Sequence, residues 1–465
     1  MLILKSRTLL CIAGFFIIIT DSGILGSHGG LFYSLFVSIF LPAISPFLLI
    51  QIALTQDSPG FSGYDWYIAF IFVSFVMTIN FLIRFNFKSL LKNRDLVLIM
   101  FIAIFAILYA LIVSYINVFF DGMPQSSTRP PYIVGILMLI MLVSGVVSGS
   151  YLYSFSNKDK LISQFVLLLL SHNFLIALIQ ILFDPSLFAS QNAISQLTGY
   201  AQLVNPTAFG FPRITGLYLT PNGFALSSIL VYLVYFIYSS DFDLKSIFSF
   251  FTISLLVTIV FFSFSKALMS YLFIMALIFF LIARPKYRFI LGLLAIIILI
   301  SCLTVCNLEE INKSFRISEG LSSDSYRHQA WALTLKEFDT LKWIFGTGLS
   351  YWPIFFESHL GFSLSDPHSY LLSIPGTFGI IGVIFYFILI VILVKNLINQ
   401  TTLRKKLAIW ALLSLIIVKD AVSIPYLFGN TPLTYLIWLI VFGVLKNNTE
   451  QSRSWNRTQC SIISN

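Results

Sequence analysis

The sequence predicts an all-α, polytopic transmembrane helix bundle of about 12 spans with a large outer loop containing amphipathic helices. Three observations predict it. The 465-residue chain is 58% hydrophobic and only 10% charged, whereas soluble domains carry roughly a quarter charged residues. Apolar runs recur at lengths near 20 residues, enough to cross a hydrocarbon core of about 30 Å. Basic residues then return at every second connection, as the positive-inside rule requires.

Taken in order, the apolar runs cover residues 8–25, 30–55, 65–83, 95–120, 131–155, 161–184, 221–239, 246–264, 267–283, 288–306, 369–395, 406–423 and 431–446. Arg84, Lys88, Lys92 and Arg94 mark one cytoplasmic loop, and Lys158 and Lys160 the next. Lys245 follows, then Arg284, Lys286 and Arg288, then Lys395, Arg404, Lys405 and Lys406, and finally a tail with Lys446, Arg453 and Arg457. With Lys5 and Arg7 also inside, parity leaves one full crossing before residue 65. Residues 8–55 are then one span plus a re-entrant or interfacial piece, broken near Gly26-Ser27-His28-Gly29-Gly30. Both termini are expected in the cytoplasm; thirteen crossings with the N-terminus outside is the alternative.

The net charge of +9 sits largely in short loops, so it reads as a topology signal and not as a nucleic-acid surface. Cys11, Cys302, Cys306 and Cys460 lack zinc spacing and imply no disulfide framework. The apolar run after Lys5 and Arg7 lacks a convincing cleavage site and reads as a retained anchor. Three regions follow: N-terminal membrane helices over 1–184, a central half over 185–395, and C-terminal helices with a cytoplasmic tail over 396–465.

Three polar loops face away from the cytoplasm: 121–130, 185–220 and 307–368. The last, about sixty residues long, is costly in so apolar a chain unless it recognises or transforms something. It holds His328, His359 and His368 along with Arg316 and Arg327. The loop over 185–220 ends in Arg213-Ile-Thr-Gly216, with Pro221-Asn222 opening the next helix. Arg213 therefore stands just above the membrane at the level of a phosphate head group, although an arginine that only snorkels to lipid phosphate would stand there too. Lys266, in Ser263-Phe-Ser-Lys266, is a second cation at that depth, or simply a surface lysine at a helix junction. In the large loop Trp331, Leu335 and Phe338 recur at helical spacing, with Ser322 or Ser323 able to cap the start. Arg327 lies one turn before Trp331, on the same face or its edge. A Gly346-Thr-Gly348 turn and the aromatic run Tyr351–Phe356 come next. Asp366-Pro367-His368-Ser369 leads into the next span, where Gly379 and Gly382 suit close helix packing. A histidine at that mouth is placed to exchange a proton; capping the helix or binding lipid head groups is its plainer role. Lys419-Asp420 reads as an ion pair neutralising itself beside the bundle.

These motifs together resemble the O-antigen ligase and polymerase family of bacterial inner membranes. The matching residues are Arg213 with Gly216 and Pro221-Asn222, Ser265-Lys266, Arg327 with Trp331 and Gly346-Thr-Gly348, and His368-Ser369 with Gly379 and Gly382. Members of the family commonly have Ser-Arg where this chain has Ser265-Lys266. The ammonium keeps the charge but loses bidentate phosphate geometry. The resemblance spans about residues 205–385. It implies an inverting glycosyl transfer at the periplasmic face, from an undecaprenyl-diphosphate-linked saccharide to the hydroxyl of an acceptor glycan or of lipid A–core. It implies a diphosphate clamp of Arg213 and Arg327, with Lys266 and Arg316 as weaker members. His368 is the implied base, with Asp366, Trp331 and Gly379 in supporting roles. A chain-length regulator protein is a further partner of such enzymes. No cofactor is expected, and no metal either, because no carboxylate or His/Asp set on the outer face has ligand spacing. Polymerase is the expected activity and ligase the alternative. A transporter or flippase would call for ionisable groups at mid-membrane depth and for internal repeats, and neither stands out in the sequence.

Overall fold

The structure is a computed structural model. It describes residues 28–55, 65–84, 93–121, 130–154, 158–183, 221–239, 247–263, 326–361, 369–400, 403–419 and 433–446, with Ile214, Leu268, Tyr271, Met275 and Pro367 besides. Among the described residues all regular structure is helical. That is the one open conformation in which a chain segment crossing lipid can pair its own backbone polar groups. Five of these helices are long and apolar enough to cross a membrane, and four apolar ones are shorter. The expected total of about 12 spans depends in part on residues 1–27 and 276–306, which lie outside the described set.

The chain divides into two compact units. The first comprises residues 1–85 and 147–318. It contains α1 (Gly29–Phe40), α2 (Ser45–Thr55), α3 (Asp65–Arg84), α6 (Lys158–Leu182), α7 (Pro221–Tyr238) and α8 (Ile247–Ser263). α1 begins at Gly29, and the run over 30–55, expected to be continuous, is broken at Pro42; residues 1–27 lie outside the described set. Pro42 follows Leu41, whose φ of −131° and ψ of 58° lie outside the helical region, and a short 3₁₀ turn (Pro42–Ile44) joins the two pieces. Proline disfavours helical geometry in the residue before it and brings no N–H of its own. The results are helices of 12 and 11 residues, each too short to cross alone. Both pack on α3, and His28 Nδ1 lies 2.5 Å from the Asp65 carboxylate at the start of α3.

α6, α7 and α8 pack on one another. Asn173 donates to Ser228 Oγ at 3.1 Å between α6 and α7, with both side chains buried. Hydrogen bonds of this kind hold membrane helices together where apolar burial cannot. His172 stands beside Asn173, buried at the middle of the span Leu161–Leu182. The reading that no ionisable group lies near a span centre is corrected here.

The second unit comprises residues 86–146 and 319–465. It contains α4 (Arg94–Asp121), α9 (Tyr326–Glu337), α10 (Thr340–Phe345), α11 (Tyr351–Leu360), α12 (Tyr370–Asn399), α13 (Leu403–Ser414) with a π turn after it (Leu415–Lys419), and α14 (Leu433–Lys446). The boundary between the units falls within α5 (Pro131–Ser154), after Val146. Asn93 caps α4 by accepting from Leu96 N at 3.1 Å, and its amide donates to Leu445 O of α14 at 3.1 Å. Lys395 of α12 lies 3.4 Å from Asp95. The ends of α4, α12 and α14 that carry Arg94, Lys395 and Lys446 thus meet. Gly145 of α5 lets α14 approach closely: a Cβ there would stand 2.6 Å from Trp438 Cβ and 2.9 Å from Leu439 N.

The expected span over 369–395 is broken. Gly379 inside α12 has φ 60° and ψ −153°, so α12 is two helices joined at that residue. The bend is sharp. A Cβ on Gly382 would meet Ile374 Cγ2 at 2.8 Å and Ile374 O at 3.2 Å, whereas residues eight apart in a straight helix are separated by about 12 Å. Residues 380–399 alone, about 30 Å at the helical rise, are long enough to cross.

A scaffold for the candidate active site

α9, α10 and α11 enclose a small aromatic core. Ala330, Phe338, Trp352, Phe355 and Phe356 are buried together, with Leu333, Trp343, Tyr351 and Leu360 packed around them. Phe338 stacks on Trp352 at 5.0 Å between centroids and meets Phe355 edge-on at 5.6 Å. Such pairs add about 0.5–1.5 kcal/mol each beyond the burial of their area. The run Tyr351–Phe356 therefore forms largely the interior of this subdomain. Trp352, Phe355 and Phe356 are covered and offer no open ring face to a ligand.

The apolar stripe of α9 also differs from expectation. Its buried positions are Ala330 and Thr334, followed by Phe338 just past the helix end, while Leu335 is 63% exposed. Phe338 takes the interior place because the chain turns after Glu337 and Asp339 caps α10, its Oδ1 accepting from Lys342 N at 2.8 Å. Trp331 sits at the edge of this stripe, and its indole N–H donates to Pro367 O at 2.6 Å. The helix that carries Arg327 is thereby tied to the residue immediately before His368.

Gly346-Thr-Gly348 docks on the break in α12. Thr347 N donates to Gly376 O at 2.7 Å and Gly348 N to Thr377 O at 3.0 Å. Thr347 Oγ1 also donates to Gly376 O, at 2.8 Å, and the Trp352 indole donates to Thr377 Oγ1 at 2.8 Å. Gly346 and Gly379 lie against each other, both at positive φ (78° and 60°). A Cβ on Gly346 would stand 2.5 Å from Thr377 O and 2.6 Å from Gly379 N, and one on Gly379 would collide with Ile344 O. Gly379 was expected to let two helices pack; its role is instead to break one helix so that a turn from elsewhere can enter. The other side of the turn is held by α4. Tyr109 donates to Phe345 O at 2.9 Å, Asn117 to Thr347 O at 3.0 Å, and Leu349 N donates to Ser114 Oγ at 2.6 Å. No sequence pattern pointed to Tyr109, Ser114 or Asn117, because they belong to an apolar run more than 200 residues away.

Of the expected site residues, Trp331 and Gly379 are fully described. Arg327 is placed in α9 by its backbone, and its side chain lies outside the described residues. Arg213, Lys266, Arg316, Asp366 and His368 also lie outside them, although Ile214 follows Arg213 and is buried, and Pro367 and Ser369 flank His368 and are buried. The expectation that no metal binds involves Glu309, Glu310, Glu319, Asp324 and Asp366, outside the described set as well.

Residues 250–387 match the O-antigen ligase family model. The match takes in Lys266, Arg316, Arg327, Trp331, the Gly346–Gly348 turn, His368 and the break at Gly379, and it leaves Arg213 outside. Comparison with curated proteins and with solved structures returned no match. Over this segment the chain is similar to that family, in agreement with the resemblance carried by the motifs. Both tied elements of the scaffold, α9 and the approach to His368, fall inside the matched segment.

Proposed function

We propose that the protein is a metal-independent, inverting glycosyltransferase of the inner membrane, with its active site at the periplasmic face and both termini in the cytoplasm. It transfers a saccharide from undecaprenyl diphosphate to the hydroxyl of an acceptor glycan. The acceptor we assign is a second lipid-linked unit, as in a polymerase; lipid A–core in its place makes the enzyme a ligase. The observation that carries the proposal is the Trp331–Pro367 hydrogen bond. It joins the helix bearing Arg327 to the segment bearing His368, within the stretch that matches the family.

In the step itself, His368 accepts the proton of the acceptor hydroxyl as its oxygen attacks the anomeric carbon. The bond from that carbon to the diphosphate oxygen breaks from the opposite face, which inverts the configuration. Undecaprenyl diphosphate leaves with the bonding pair. Arg213 and Arg327 are the candidates to meet the charge growing on it, with Lys266 and Arg316 as weaker ones. Asp366 orients the imidazole. A chain-length regulator would act on the repeating cycle from outside this site.

The test is reconstitution. Purified protein in liposomes receives lipid-linked saccharide donor with either a second lipid-linked unit or lipid A–core as acceptor. Elongated lipid-linked product is expected, and His368→Ala should lower its rate by about 10²–10⁴-fold, the usual worth of a general base. A His368→Ala enzyme with normal turnover would overturn the base, and product on lipid A–core alone would overturn the acceptor.

A further inference from the structure

The stretch from Thr340 to Leu349 belongs to the large polar loop by sequence, yet its contacts are with a membrane span. α4 supplies the candidate span Arg94–Asn117. Ser114 lies about 4.5 Å inside its outer end at the helical rise, and Tyr109 about 12 Å inside. Leu349 N is bonded to Ser114 Oγ, and a Cβ on Gly348 would stand 2.5 Å from Ser114 N, so the turn touches the helix backbone at that level. Phe345 O, at the end of α10, takes the Tyr109 hydroxyl.

Two further observations agree. The first is the backbone accounting of the turn. Gly346, Thr347, Gly348 and Leu349 each have their N–H bonded within the protein, and Phe345, Thr347 and Leu349 have their carbonyls bonded to Tyr109, Asn117 and Ser114. The turn is buried in protein, which requires such pairing by itself; at membrane depth no water could replace it. The second is the apolar face of α10. Leu341, Ile344 and Phe345, at i, i+3 and i+4, are 65%, 43% and 55% exposed. Lys342 turns away from them, its ammonium 5.9 Å from the Phe338 ring centroid, and Trp343 packs on the aromatic core. On α4, near Tyr109, the exposed side chains are Phe105, Leu108 and Ile112.

We propose that residues 340–349 form a wedge seated in the outer leaflet, with phospholipid acyl chains covering Leu341, Ile344 and Phe345 in continuity with the lipid-facing band of α4. The inference takes its orientation from the proposed topology but is otherwise independent of the catalytic reading, since it concerns the depth of the scaffold and not the chemistry on it. Its consequence is that the break at Gly379 and the turn docked on it lie within the outer leaflet, just beneath the head-group layer.

The experiment uses the native chain in liposomes of phosphatidylethanolamine and phosphatidylglycerol containing a phospholipid with a diazirine at mid-acyl chain. Photolysis followed by peptide mass spectrometry locates the adducts. Leu341, Ile344 and Phe345 should be labelled within about twofold of Phe105 and Ile112, as expected of side chains in one apolar layer, while exposed Glu357 stays unlabelled. Adducts on α4 without any on residues 341–345 would overturn the proposal. Repeating the reaction with a water-soluble diazirine separates the two ways of failing: strong labelling of 341–345 means water covers the face, and none with either reagent means protein does.

Discussion

Replacing Gly379 by alanine tests the central packing event of the second unit. The backbone at this residue has φ 60° and ψ −153°, a region essentially reserved for glycine, where other residues cost about 1–3 kcal/mol. The added methyl would also collide with Ile344 O and stand 2.6 Å from Phe345 C. Those are backbone atoms that no rotamer change can move aside. Relief requires the Gly346 turn to lift away, which forfeits the Thr347 N–Gly376 O and Gly348 N–Thr377 O bonds, about 0.5–1.5 kcal/mol each. Strain and lost bonds together come to roughly 4 kcal/mol. Gly361→Ala is the control. Gly361 also has positive φ (75°), but an added methyl there would have no neighbour within 4 Å, so only the left-handed conformation is penalised, about 1–2 kcal/mol. The assay is thermal loss of monodisperse protein in detergent, followed by gel filtration, with saccharide transfer measured in parallel. Gly379→Ala should lower the midpoint by clearly more than Gly361→Ala and suppress transfer. Equal shifts for the two variants would refute the argument that the turn and the helix break depend on each other.

Trp331→Phe keeps the ring but removes the donor to Pro367 O; a loss of about 1 kcal/mol of local order is expected, seen as a several-fold fall in transfer with unchanged thermal midpoint. A shifted midpoint with normal transfer would mean that the bond serves stability alone. Arg213→Lys and Arg327→Lys keep the charge but not the planar fork that grips a diphosphate bidentately, so both should be severely impaired in complementation read by lipopolysaccharide banding; wild-type ladders from both would leave only bulk electrostatics. Transfer by the purified enzyme should persist in excess EDTA, because two guanidinium groups supply the positive charge that a divalent ion otherwise would. Activity lost on chelation and restored by magnesium or manganese would reveal a carboxylate site formed across the loops.

Most of the helices were legible in the sequence because lipid enforces a local rule. A long apolar run has no water to satisfy its backbone and must pair it internally, so the expected runs over 65–83, 95–120 and 131–155 appear as Asp65–Arg84, Arg94–Asp121 and Pro131–Ser154. The motif order that pointed to the O-antigen ligase family was legible for the same kind of reason, being written in short consecutive stretches. What only the tertiary structure decided are the places where distant backbone meets. Apolar content reads straight through Pro375 and Gly379, and nothing near them announces that the carbonyl of Ile344 comes up against Gly379. Periodicity likewise grouped Leu335 with Trp331 and Phe338, but which of them turned inward was settled by Phe338 finding Trp352. Trp331 gave a helical spacing but not its partner, Pro367 O. Hydropathy records the preference of each residue for lipid or water; it carries no term for a positive φ that becomes favourable only when another segment arrives to bond with it.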